Sequence, residues 1–186
     1  LSLLFCSNNN ELLLDIYKKH EWRIVNNRDN KNILEAESNI NNDKYLRIEQ
    51  SISSTQKNVL DVVESIPEYN EIISNKNVTT ELLRTNKDTL ICLQKISNAI
   101  PFIRDRQYIF KLYRVNEDRI DWYLLNKKNL ILKNYLDDNV HTLTNGAGSW
   151  EIKEKNEKKI LIYRMYIDEE VNLPLVFIQK IRINQA

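Results

Sequence analysis

His20 and His141 are the only histidines in the chain, and a metal centre would need cysteines or carboxylates at ligand spacing beside them. The two fall in different predicted elements without such neighbours, so neither a metal site nor a cofactor is expected. The stretch "NGAGS", residues 145 to 149, is glycine-rich but precedes a strand pattern and offers no lysine or helix N-terminus to a phosphate. It reads as a turn, or as a place where backbone approaches a ligand closely. No serine sits in a G-x-S-x-G elbow, which leaves a hydrolase triad without support. The carboxylate pairs Asp137-Asp138 and Glu169-Glu170 fall in predicted turns, where a solvated loop explains them better than an acid/base dyad does. The chain is therefore read as a non-enzyme.

The cysteines carry two further expectations. "LSLLFCSNNN" at the start of the chain resembles the end of a bacterial lipoprotein signal peptide, in which case Cys6 carries lipid and the protein sits in the cell envelope, periplasmic or anchored to a membrane surface. Phe5 is bulkier than such a cleavage site prefers, and a frayed hydrophobic N-terminus of a cytoplasmic protein explains the same residues. Cys92, in an apolar strand pattern, reads as a buried free thiol. Two cysteines make no disulfide framework.

The elements that must position any site follow from length and patterning. At 186 residues the chain suits one domain, assigned to residues 10–186 behind a tail at 1–9, and a monomer is expected. Its 42% hydrophobic and 28% charged content is that of a folded globular protein. The net charge of +1, with Lys and Glu interspersed, gives no basic face for nucleic acid. No apolar run reaches the roughly 18 residues a membrane-spanning helix needs.

"NNNELLLDIYKKHEW" predicts a short helix, with Asn10 as cap and Leu12, Leu13 and Ile16 on its apolar side. "EWRIVNN", "NILEAESN" and "YLRIEQSIS" alternate or carry β-branched residues and predict three strands in a meander. "SSTQKNVLDVVESIPEYNEII" predicts a second helix, interrupted at Pro67. About six strands follow, the first pair turning at residues 85 to 88 and the second at 116 to 118. "VNLPLVFIQKIRINQA" then begins a last helix, with Asn172 as cap and Pro174 in its first turn. The fold class is α+β: consecutive antiparallel strands make one curved sheet, and the closing helix must bury its apolar face against it.

Three stretches resemble the START-related helix-grip domains of the wider Bet v 1-like superfamily. "PFIRDRQYIFKLYR" is similar to that family's proline, Arg-Asp and long-strand element, "GSWEI" to its glycine, aromatic and strand element, and "YRMYIDEEVNLP" to its strand, Asp168, and Leu173-Pro174 helix opening. The resemblance implies a sheet wrapped around the C-terminal helix with an apolar cavity, holding a lipid or other hydrophobic small molecule. It also implies that Arg104, Asp105 and Arg106 stay hydrated at the rim, although charges at a strand entrance also serve to block edge pairing.

Strand alternation assigns the cavity wall. Tyr108, Phe110 and Leu112 face inward, because the opposite phase would bury Lys111. The same reasoning places Leu46 and Ile48, then Leu90, Cys92 and Gln94, then Tyr163 and Met165, on the inner face, with Leu175, Phe177 and Ile178 of the last helix closing it. A two-residue turn at Glu117-Asp118 sets Leu112 opposite Tyr123 and sends Trp122 outward, whereas a bulge reverses this. Tyr123 is assigned inward and Trp122 left open. Sterol-binding members of the family carry an inward acid and arginine where Gln94 and Leu112 stand here. That ion pair cannot form, so Gln94, Tyr108 or Tyr163 is left to meet a polar ligand group. The alternatives are an aromatase/cyclase of the same superfamily, which needs an inward ionisable group, and a filled-core scaffold that binds a protein partner on an outer patch.

Overall fold

The computed structural model describes residues 8–18, 20–28, 31–40, 43–53, 55–73, 75–97, 104–126, 130–155 and 157–168. The predicted lipidation site Cys6 and the cavity-closing Leu175, Phe177 and Ile178 lie outside them. A helix α1 (Asn8–Ile16) precedes the strands β1 (Arg23–Arg28), β2 (Lys31–Glu37) and β3 (Lys44–Ile52). Then come α2 (Gln56–Glu64), a 3-10 turn at Ile66–Glu68 that holds Pro67, and α3 (Tyr69–Ile72). The remainder is β4 (Val78–Asn86), β5 (Thr89–Ile96), β6 (Arg106–Asn116), β7 (Arg119–Leu124), α4 (Leu130–Lys133), β8 (His141–Thr142), β9 (Gly146–Lys155) and β10 (Lys158–Ile167).

Among the described residues ten strands form one open sheet in the order β1-β2-β3-β10-β9-β7-β6-β5-β4, antiparallel along that path, while β8 pairs in parallel with β6. Each half is a meander. Their junction is β3 against β10, with Leu46 opposite Met165. The two-residue β8 and one-turn α4 had no periodicity to announce them. The buried Gln107 side chain helps to hold the approach to β8: Gln107 Nε2 donates to the Asp137 carbonyl at 2.6 Å and to Thr142 Oγ1 at 3.0 Å, while the Asp137 N–H donates to Gln107 Oε1 at 3.1 Å.

The sheet buries both faces. On the inner one, Leu60, Val63 and Ile66 from α2 and the 3-10 turn cluster with Cys92, Phe110, Leu112, Ile120 and Trp122. On the outer one, Leu12, Leu13 and Ile16 of α1 meet Tyr45, Ala147 and Tyr166. The helix already includes Asn8, so Asn10 lies within it, and Asn9 ties it to the sheet: its amide donates to the Leu124 and Thr144 carbonyls at 2.7 and 2.9 Å and accepts from the Gly146 N–H at 2.9 Å.

Below α1 the outer face carries alternating charges. Arg119 grips Asp121 through two bonds of 2.7 and 2.6 Å, Arg164 donates to Glu151 at 2.8 Å, and Arg47 pairs with Glu49. The Tyr17 ring lies under both Arg119 and Arg164, with guanidinium carbons 3.4 and 4.9 Å from its centroid.

Asp15, fully buried at the end of α1, accepts from the Tyr45 hydroxyl at 2.7 Å and from the Asn39 main-chain and side-chain N–H groups at 3.0 and 3.1 Å, with Lys18 at 3.2 Å. Burial alone raises this carboxyl, but the donors together outweigh it and hold the group at about 2 instead of 3.8. A folded-state value below the unfolded one adds stability above pH 4 that disappears as pH falls through 4 toward 2. Urea denaturation between pH 5 and 2 is expected to show the wild type losing on the order of 2 kcal/mol more than Asp15→Asn. Parallel acid limbs would overturn this.

Candidate ligand cavity

A cavity of about 370 Å³ opens on the inner face where β3, β10, β9, β7, β6 and β5 come together beside the segment from Tyr69 to Val78. Of the residues assigned from sequence, Leu46, Gln94, Tyr108, Phe110, Leu112, Tyr163 and Met165 line it. Cys92 and Leu90 share that face but sit under α2 in the apolar cluster, and Ile48 packs with Ile33 and Leu46. Burial pushes the Cys92 thiol up to about 12, which leaves it unreactive near neutral pH.

Tyr123 is a correction. A bulge between Arg114 and Asn116 shifts the register, so that Leu112 opposes Trp122 and Phe110 opposes Leu124. Trp122 therefore turns into the cavity, while Tyr123 goes to the outer face beside Tyr113, ring centroids 6.3 Å apart. One extra residue in β6 inverts the whole of β7 relative to a regular two-residue hairpin.

"NGAGS" is corrected as well, since Gly146 to Ser149 belong to β9 and do not form a turn. Gly148 lies opposite Trp122 in β7 and Met165 in β10. A Cβ there would stand 2.5 Å from the Arg164 carbonyl oxygen and 2.6 Å from two indole carbons of Trp122. The group that approaches this backbone is the indole, and glycine is what admits it.

The wall is aromatic. Trp150 and Tyr163, directly opposed in β9 and β10, stack at 3.8 Å and 16°, and Phe110 meets Trp122 edge-on at 6.5 Å. Tyr108 donates to Gln94 Oε1, and Gln94 Nε2 donates to Thr80 Oγ1 at 2.8 Å. The amide assigned to a ligand is thus engaged by two neighbours. Burial raises the hydroxyls of Tyr69, Tyr108 and Tyr163 well above their ordinary value.

Arg106 is the second residue that sequence reasoning misplaced. Arg104 and Asp105 are exposed, but Arg106 is only 4% exposed and lines the cavity. β6 begins at this residue, so the alternation that turns Tyr108 and Phe110 inward already includes it. Counting back two residues from Tyr108 was the available signal. Trp150 could likewise have been found from its place opposite Tyr163, whereas Tyr69 and Leu143 arrive from segments with no strand period.

The fold of the described residues is similar to that of START-related lipid transfer domains. Human StAR-related lipid transfer protein 5 is similar in structure, with a TM-score of 0.68 and 15% identity over 94% of this chain and 85% of that one. A STAR-related lipid transfer protein from Xanthomonas axonopodis gives 0.65 and 13% over 82% and 85%, and human STARD10 gives 0.66 and 13% over 97% and 74%. No family model and no curated protein sequence matches the chain.

Proposed function

We propose that the protein binds a lipid or other hydrophobic small molecule in this cavity and carries it without chemical change. The observation that carries this reading is an inner face whose aromatic and aliphatic side chains border about 370 Å³ of space, within the range of small-molecule sites. That structurally similar proteins are lipid transfer proteins supports it. The described lining residues include no His, Asp, Glu, Ser or Cys. Tyr69, Tyr108 and Tyr163, their hydroxyls raised by burial, make poor bases near neutral pH.

Native mass spectrometry of the protein purified from its own cells, followed by denaturation and lipid identification, tests the reading. One hydrophobic passenger per chain is expected, and Met165→Trp, which fills the cavity from a flexible position, should lower occupancy at least ~10-fold. Empty protein that also fails to take up a fluorescent fatty acid or sterol would overturn it.

A further inference from the structure

His20 is half-buried between the end of α1 and the end of β2, and both nitrogens of its ring face main-chain carbonyls. Nε2 stands 2.6 Å from the Asp15 oxygen and Nδ1 stands 3.1 Å from the Glu37 oxygen. A carbonyl oxygen only accepts, so each bond needs a proton on the ring nitrogen that meets it. The neutral imidazole carries one such proton and the imidazolium carries two. In the neutral ring one of the two carbonyls would meet a lone pair where a donor belongs. The pairing is therefore complete only in the cation.

The surroundings suit a positive ring. Asp15 lies in the last turn of α1, where the helix dipole is negative, and the rings of Trp22 and Tyr45 stand nearly perpendicular to the imidazole at 5.8 and 5.1 Å. Among the described residues, the charged and titratable groups on the elements around it are Asp15 and Lys18 from α1, Glu21 beside it in the chain, Glu37 from β2, and Tyr45 and Arg47 from β3. The donors on Asp15 hold its carboxyl at about 2, and burial raises the Tyr45 hydroxyl above its ordinary value. Histidine is the one residue type in this group whose charge ordinarily changes between about pH 5 and 8.

The two carbonyls belong to elements that meet at the cavity rim. The Asp15 carboxylate takes both N–H groups of Asn39, and the Ser38 N–H donates to the Asp43 carbonyl at 2.9 Å, closing the connection from β2 to β3. Lys44, next in the chain, lines the cavity, as does Tyr166, whose hydroxyl donates to the Asp43 carboxylate at 2.6 Å. We propose that His20 is a proton-dependent latch between α1 and the connection from β2 to β3, closed by two bonds as the imidazolium and held by one as the neutral ring. This rim of the cavity is firm in mild acid and slackens as pH rises through the neutral range. Below about pH 4 the loss of the Asp15 carboxylate releases the same connection, so the latch acts between these limits. It concerns the rim and not its contents, and it stands independently of the carrier reading.

Nitrogen-15 NMR of the full chain tests it directly. At about pH 5.5 both ring nitrogens of His20 should carry protons, and at about pH 8.5 one should. Amide hydrogen exchange at Lys18, Ser38 and Asn39, corrected for the intrinsic rate, should quicken about 10-fold between those values, the effect of one hydrogen bond to a charged group. In His20→Gln, whose amide cannot donate to both carbonyls from opposite sides, the pH dependence should vanish, whereas His141→Gln should keep it. Circular dichroism confirms the fold of both variants, and the wild-type ring signals decide the matter if either fails to fold. A single ring proton at the acidic value, exchange that ignores pH, or a pH response that persists in His20→Gln overturns the latch.

Discussion

Gly148→Ala is expected to lose about 3 kcal/mol of stability, the upper end for overpacking, and to lose the cavity along with it. The new methyl would fall 2.5 Å from a main-chain oxygen in β10 and 2.6 Å from the fused ring of Trp122 in β7. Neither obstacle is the loose end of a flexible side chain. Relief requires β9 to part from β10 or the indole to leave the inner face, and Trp122 contributes to both the apolar cluster and the cavity wall. Urea denaturation followed by tryptophan fluorescence should show a lower midpoint and a changed native emission. A companion change, Trp122→Leu in the Gly148→Ala background, makes room for the methyl and should recover part of the loss. An unaltered midpoint in the single variant would show that the strands yield without resistance and would refute the proposed glycine requirement.

Glu151→Ala is expected to cost more, about 3–5 kcal/mol, the range for breaking a buried ion pair from one side. Arg164, 6% exposed at its side chain, would keep its charge and lose its bonded carboxylate. Arg47 is a half-buried like charge nearby, its own proton affinity lowered by burial and by Arg164. Lys153, more than half exposed, would simply turn to water. Replacing both partners, Glu151→Met with Arg164→Met, removes the orphaned charge and should restore most of the loss in thermal or urea unfolding. If the double variant is as unstable as the single one, the effect comes from packing under Tyr17 and not from charge.

The parts of this fold that were legible in the sequence are those with a local period. The meander β1 to β3, the hairpin β4-β5, the helix broken at Pro67 and the inward phase of Tyr108, Phe110 and Leu112 follow from alternation and turn residues alone. Trp122 and Tyr123 exchange faces because one bulge residue near Arg114 resets the count, and a bulge leaves no mark in a pattern of period two. Arg106 was hidden differently: a charged triplet suggests a solvated rim, yet the strand starts one residue earlier than the polarity implies. Leu143, Tyr69 and the strand β8 reach their places through contacts far along the chain, such as Gln107 with Asp137 and Thr142. No window of neighbouring residues records them.

The join between β3 and β10 has a consequence in time. Leu46 and Met165 are opposed partners in adjacent strands although more than a hundred positions separate them. During synthesis at about 5–20 residues per second, β1 to β3 leave the ribosome many seconds before the strand that completes them. Over that interval β3 offers Leu46 and Ile48 on one side and an unpaired backbone edge on the other, the kind of surface that recruits chaperones or aggregates. High sequence separation also slows the final pairing itself. Newly made chains are therefore expected to depend on holding factors most strongly just before Ile167 emerges.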